Sequence, residues 1–147
     1  MIREGFLVEP LGLYLILERR DGKISRIHLS EERPESTPPQ NLKELISKSL
    51  IGNEDALIDI LDLSSLTKFQ KNVLEIVASI PRGRTLTYGQ VAQQIGCPGA
   101  TRAVGRVLSA NPFPLIIPCH RVVATKGIGG YSGGVEMKKR LLDLERL

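Results

Sequence analysis

One thiol and one imidazole stand side by side at Cys119 and His120, inside the run Leu115-Ile116-Ile117-Pro118-Cys119-His120-Arg121-Val122-Val123. A cysteine is a strong nucleophile as thiolate, and a neighbouring histidine or positive charge lowers its pKa, so the pair is a candidate reactive centre. The bland alternative is a buried structural cysteine beside an exposed histidine. Pro112, Pro114 and Pro118 deny helix to the residues before them and predict an extended, rigid segment. Adjacent side chains of an extended chain point to opposite faces, so a water relay is expected between Cys119 and His120 rather than a direct hydrogen bond. The other cysteine and histidine, Cys97 and His28, do not complete a zinc-binding spacing, and no metal is expected.

The elements that must position this pair are legible around it. Downstream, Gly127, Gly129, Gly130, Gly133 and Gly134 surround Tyr131-Ser132 and predict a mobile loop able to close over a ligand. A last helix follows, roughly Val135 to Leu147, apolar at Met137, Leu141, Leu142 and Leu144. Glu145 stands near its C-terminal end, where a carboxylate opposes the helix dipole; a role elsewhere or simple solvation both account for it. Upstream, Thr67 with Gln70 forms a capping box ahead of the stripe Phe69, Val73, Ile76, Val77 and Ile80, ended by Pro81 and Gly83. A second box, Thr87 with Gln90, opens a short helix through Val91, Ala92 and Ile95. Gly96-Cys97-Pro98-Gly99 makes a turn, and Ala100 to Ala110 forms a second helix, together spelling a helix-turn-helix.

That second helix carries small residues at Ala100, Ala103 and Gly105, with Arg102 and Arg106 four apart on one side. A bald face with one or two arginines suits shape-based, sequence-tolerant contact with DNA in the narrower groove; packing against another helix is the alternative. Charge supports a polyanionic partner. Residues 1–66 carry 8 Lys/Arg against 12 Asp/Glu, whereas residues 67–147 carry 12 against 4. Lysines and arginines near phosphates release condensed counterions on binding.

The first third reads as strands, Phe6 to Val8, Leu13 to Leu17 and Ile24 to Leu29, with Asp21-Gly22 as a hairpin turn. A polar stretch from Ser30 to Gln40 leads to a helix marked by Leu42, Leu45, Ile46 and Leu50 and stopped by Gly52. The expected class is α+β, with an N-terminal domain over 1–63 and a mostly helical domain over 64–147. At 41% apolar and 24% charged the composition excludes disorder and a disulfide scaffold. Apolar runs reach five residues, Leu13 to Leu17, far short of the roughly 18 of a membrane span. Met1-Ile2-Arg3-Glu4 opens no secretory signal, so a cytoplasmic location with two free thiols is expected.

At Ile117-Pro118-Cys119-His120-Arg121-Val122-Val123 the chain resembles the O6-alkylguanine-DNA alkyltransferases, the methylated-DNA-protein-cysteine methyltransferases. Thr87-Tyr88-Gly89-Gln90-Val91-Ala92, Arg102-Ala103-Val104-Gly105, Asn111-Pro112 and Gly130-Tyr131-Ser132-Gly133-Gly134 follow the family order, covering about 80 residues from Thr67. The first 63 residues resemble the family's ribonuclease-H-like N-terminal domain in size and strand order, without the cysteines that bind zinc in some members. The resemblance implies a single-turnover repair enzyme that moves an alkyl group from O6-alkylguanine, with O4-alkylthymine a further candidate, onto Cys119. It implies no cofactor and a monomer acting on double-stranded DNA.

Roles follow for the matched residues. His120, through water and oriented by Glu145, takes the thiol proton; Tyr88 donates a proton to the departing guanine. Backbone near Cys119, Val122 and Ser132 binds the guanine edge, and Pro114 and Tyr131 wall the alkyl pocket. Asn111 ties the recognition helix to the thiol segment. Arg102 fills the stack vacated by the flipped nucleotide, with Ala100, Ala103 and Gly105 lying against the minor groove. Two rival readings are a non-enzymatic relative that flips and flags lesions, weakened because such members replace the cysteine, commonly with tryptophan, and a cysteine hydrolase, weakened by the adjacency of Cys119 and His120 and by the lack of an oxyanion-hole motif.

Overall fold

The computed structural model describes residues 1–51, 55–131 and 133–146; Gly52, Ser132 and Leu147 of the preceding expectations lie outside the described residues. The chain divides into two compact units, Met1–Ser65 with Pro112–Ile116, and Leu66–Asn111 with Ile117–Leu147. Among the described residues these units hold a three-stranded antiparallel sheet, a two-stranded parallel pair and five α-helices.

In the first unit β1 (Ile2–Val8), β2 (Leu13–Arg20) and β3 (Lys23–Ser30) form a meander in that order. Asp21 and Gly22 both take positive φ, 52° and 79°, the requirement of the two-residue turn whose twist matches antiparallel strands. Each strand runs beyond its apolar kernel, because ladder hydrogen bonds continue through charged residues such as the paired Arg3 and Glu18. Phe6 opposite Leu15, and Leu17 opposite Ile27, are buried on one face. Helix α1 (Gln40–Ile51) brings Lys43 Nζ 5.7 Å from the Phe6 ring centroid, and its Ile46 is fully buried. The outer edge of β1 is covered rather than left open: Gly5 N donates to Ser36 O at 3.0 Å and Ser36 Oγ to Arg3 O at 3.1 Å. Ile27 N donates to Pro112 O at 2.8 Å, which fixes the start of the segment 112–116 in this unit, together with fully buried Phe113.

The second unit is built on two capped helices. Both capping boxes form with reciprocal bonds, Thr67 with Gln70 before α2 (Lys68–Ala78) and Thr87 with Gln90 before α3 (Tyr88–Gln94). Helix α2 stops earlier than its apolar stripe suggests. Ser79 is the C-cap and buried Ile80 lies beyond the helix, because Pro81 disfavours helical geometry at the residue before it. A turn with Gly96 at φ 78° leads to α4 (Thr101–Ser109), for which Ala100 is the N-cap rather than the first turn. Strands β4 (Leu86–Thr87) and β5 (Val122–Val123) pair in parallel, Leu86 with Val122 and Thr87 with Val123. This pair brings the start of α3 beside the thiol segment. Helix α5 (Val135–Glu145) completes the unit.

The segment after Pro118 is not extended. Cys119–Arg121 is one turn of 3-10 helix, with Cys119 N donating to Ile117 O at 2.7 Å and Arg121 N to Pro118 O at 2.9 Å. Proline constrains the residue before it and its own φ, but leaves the residues after it free to coil. Strand alternation therefore does not govern Cys119 and His120, and both side chains are buried.

Because the Thr67 hydroxyl satisfies an otherwise orphaned helix donor, Thr67→Ala should lower the unfolding free energy by about 1 kcal/mol. Urea denaturation measures this, and an unchanged midpoint at constant slope would show that the box adds nothing.

Candidate active site

Cys119 lines a pocket of about 320 Å³ together with Tyr88, Gly105, Leu108, Ser109, Gly130 and Tyr131. That volume falls within the range of small-ligand pockets, about 300–1,000 Å³. Each wall has a local cause. Tyr88 is the first residue of α3, placed by the β4–β5 pair; Cys119 is held by its 3-10 turn; Gly130 and Tyr131 come from the glycine-rich segment. Gly129 takes φ 77°, and a Cβ there would stand 2.9 Å from Tyr88 Oη, so glycine is required for this approach. Asn111 follows α4, and its Nδ2 donates to Ile117 O at 3.0 Å, joining the two ends of the excursion 112–116.

A buried charged group sits behind the thiol. Arg121 Nε donates to Glu145 Oε1 at 2.9 Å and Oε2 at 3.2 Å, its Nη2 donates to Oε2, and its Nη1 donates to Ile80 O at 2.8 Å. His120 Nε2 lies 3.0 Å from Glu145 Oε1. Burial alone would raise the Glu145 pKa, but the hydrogen bonds from Arg121 and then His120 hold it down at about 2. An ionised carboxylate only accepts, so the proton belongs on His120 Nε2 and the lone pair on Nδ1. Burial pushes the His120 pKa below the ordinary imidazole value, against the pull of Glu145, so the ring is neutral near pH 7. Nδ1 is buried and has no hydrogen-bond partner among the described residues.

The electrostatics correct the expectation of a lowered cysteine pKa. Burial raises the Cys119 pKa, only partly offset by a hydrogen bond from Asn111 and by the charge of Lys138, so the resting group is a thiol. Lys138 was not singled out from the sequence, yet its side chain is fully buried. Its Nζ donates to Val122 O at 2.6 Å, Gly130 O at 2.9 Å and Tyr88 Oη at 3.4 Å. Burial pushes it down to about 8, opposed by Cys119. Tyr88, which donates to Gly130 O at 3.4 Å, has its pKa raised by burial and then by the nearby Cys119, as does Tyr131.

The structure thus brings together Cys119, Tyr88, Tyr131 and Gly105 at one pocket, with His120 and Glu145 hydrogen-bonded to each other. Val122 is buried and its carbonyl already accepts Lys138. Pro114 belongs to the 112–116 segment of the first unit. Arg102 and Arg106 are exposed on α4. The single bald face expected of Ala100, Ala103 and Gly105 does not exist. Residues two apart on a helix differ by about 200°, so Ala103 and Gly105 flank opposite sides of Arg102, and Gly105 faces the Tyr88 ring. The cysteines are both free, Cys97 exposed and Cys119 buried. Among the described residues no group of three or more His, Cys, Asp or Glu could hold a metal, and no helix is long and apolar enough to cross a membrane.

Two predictions follow from burial and pairing. Iodoacetamide at pH 7.5 should modify Cys97 at least about tenfold faster than Cys119, since only a thiolate in reach of solvent reacts; equal rates by peptide mass spectrometry would contradict a latent, buried thiol. Glu145→Gln leaves Arg121 without its counter-charge and should cost about 3–5 kcal/mol of stability. Denaturant titration that finds less than about 1 kcal/mol would remove the ion pair from its structural role.

Residues 68–147 match the family model for the DNA binding domain of 6-O-methylguanine DNA methyltransferase. The methylated-DNA--protein-cysteine methyltransferase of Methanothermobacter thermautotrophicus is 46% identical over 116 residues, 76% of this chain and 65% of that protein. That of Salmonella typhimurium is 42% identical over 117 residues, 78% and 68% of the respective chains. The chain thus spans about two thirds of the length of these curated relatives. Among solved structures, the O6-methylguanine-DNA methyltransferase of Pyrococcus kodakaraensis has a TM-score of 0.80 at 30% identity, covering 99% of this chain and 98% of its own. Mycobacterium tuberculosis OGT in complex with DNA has a TM-score of 0.77 at 33% identity, covering 98% and 92%.

Proposed function

The chain belongs to the 6-O-methylguanine-DNA methyltransferase family, and from that premise we propose that it repairs DNA by moving the alkyl group of O6-alkylguanine irreversibly onto Cys119. The observation that carries this reading is a buried thiol on the wall of a base-sized pocket, behind which a neutral imidazole is oriented by a carboxylate. His120 Nδ1 takes the Cys119 proton through one water, and Glu145 stabilises the imidazolium that forms. The thiolate attacks the alkyl carbon, a C–S bond forms as the C–O bond breaks, and the bonding pair stays with the guanine. Tyr88, a neutral phenol with a raised pKa, gives its proton to the ring as that charge develops. Lys138 holds Tyr88 and the carbonyls of Val122 and Gly130 in place. The thioether has no hydrolytic exit, so each chain acts once and needs no cofactor.

Helices α3 and α4 act as a helix-turn-helix in this reading, with the second unit as the DNA-binding and alkyl-acceptor domain and the first a ribonuclease-H-like domain. A base within a duplex cannot present its O6 group to a pocket, so the nucleotide is flipped out and exposed Arg102 occupies the gap. Ala100 and Ala103 let the backbone approach the minor groove. Asn111 and Ile117 keep α4 and the thiol turn in register. Tyr131 walls the alkyl group, and the backbone near Val122 meets the guanine edge. The protein acts as a cytoplasmic monomer.

Incubation with an oligonucleotide containing O6-methylguanine should add one methyl mass per chain, on the Cys119 peptide, and Cys119→Ser should add none. More than one turnover per chain would refute the mechanism. The single-turnover rate should fall as pH drops below the ordinary imidazole range, about 6.5. Protonation of Nδ1 removes the base, and because burial depresses the folded-state pKa, the unfolded chain binds the proton first and stability falls over the same window. A rate that rises on acidification would contradict His120 as base.

A further inference from the structure

A second, larger groove of about 620 Å³ lies elsewhere in the second unit, and the reaction described above makes no use of it. Its lining includes the aliphatic side chains of Ile128, Val135 and Leu142. Val135 is 47% exposed. Arg84, Lys139 and Arg146 also line it, all exposed. Among the described residues neither Arg84 nor Lys139 has an acidic partner, and Arg146 reaches Asp143 only at 4.0 Å with its side chain 84% exposed, a contact worth almost nothing. Glu145 also borders the groove, but both of its oxygens are taken by Arg121 and His120. The lining thus holds three cations against Asp143, which makes the weak contact with Arg146, and the already committed Glu145.

We infer that this groove is a docking site for a short acidic, aliphatic peptide segment of a partner protein. Aliphatic side chains fill the apolar part while carboxylates meet Arg84, Lys139 and Arg146. Charge complementarity sets the choice of occupant. Single-stranded nucleic acid would also meet the cations, but such strands are held by stacking bases on aromatic rings, and no aromatic residue lines the groove. Ile128 and Gly130 belong to one stretch of chain, and Lys138 and Lys139 are consecutive in α5. An occupant of the groove therefore touches the elements that carry the rear of the thiol pocket without entering it.

The test uses the full chain and a fluorescein-labelled decapeptide of alternating leucine and aspartate, read by fluorescence anisotropy. Saturable binding with a micromolar Kd is expected, weakening with salt, and the double variant Arg84→Glu/Lys139→Glu should weaken it at least about tenfold. A peptide with serine for leucine should bind at least about tenfold more weakly, because the aliphatic contacts are lost. Absence of binding, indifference to the double variant, or equal affinity of the serine peptide would overturn the inference. So would a ten-residue oligothymidylate that displaces the decapeptide and binds more tightly, or a concentration-dependent dimer in sedimentation that the double variant abolishes, which would assign the groove to nucleic acid or to a second copy.

Discussion

The second unit depends on one buried carboxylate. A charge removed from water costs several kcal/mol unless it is paired and hydrogen-bonded, so Glu145 can sit inside only where Arg121 and His120 surround it. That demand draws three parts of the chain together: the last residue of α5, the 3-10 turn that carries the thiol, and the residues after α2, whose Ile80 carbonyl receives the remaining arm of Arg121. The same end of α5 is closed from outside by Arg82, which donates to Leu144 O at 2.9 Å. A carboxylate at a helix C-terminus opposes the dipole, yet two cationic or polarisable partners and a capping arginine more than offset that small term. Fixing the carboxylate also fixes the imidazole tautomer, and with it which nitrogen of His120 is free to take a proton.

Burial gives the thiol its character. A solvent-exposed thiolate would react with any electrophile, whereas Cys119, 4% exposed and held protonated by desolvation, is latent until a base removes its proton inside the pocket. Lys138 tempers this without reversing it. One ammonium binds two backbone carbonyls and the Tyr88 hydroxyl, and contributes positive potential at the sulfur. Its own pKa falls to about 8 for the same reason that the thiol pKa rises, so each group moderates the other's desolvation.

Local signals were readable and distant partners were not. Capping boxes at Thr67 and Thr87, the Asp21-Gly22 turn and the Cys119-His120 pair all lie within three residues of chain, where side-chain chemistry acts directly on the nearby backbone. The 3-10 turn at Cys119 has no signal in Pro118, because a proline constrains its own φ and the residue before it, not the residues that follow. Lys138 and Arg121 carry no local mark of burial, because a lysine that opens a run of cations on a helix reads as a solvated face and a single arginine after Cys119-His120 has no partner nearby in sequence; only tertiary carbonyls and Glu145 reveal them. Periodicity could have exposed the error over Gly105, since its angle to Ala103 follows from the helix repeat alone. The 112–116 excursion, with Leu115 at φ 75°, had no local signal, because an aliphatic residue in that region is held there by its surroundings.

Burial also changes what the charge asymmetry means. Of the twelve cations between residues 67 and 147, Arg121 and Lys138 are consumed inside, as is Glu145 among the four carboxylates. Ten cations against three carboxylates remain, so the surface excess is nearly the one apparent from the sequence, although its members differ. Only Arg102 and Arg106 of that surplus sit on α4. Helix α4 by itself therefore supplies a small part of any attraction for a polyanion, and the rest is spread over α2, the segment after it, Lys126, α5 and Arg146 at the end of α5. A long-range field from a whole unit and a short-range site built from two arginines act at different distances: the first draws an anionic partner over about a Debye length, the second orients it on contact.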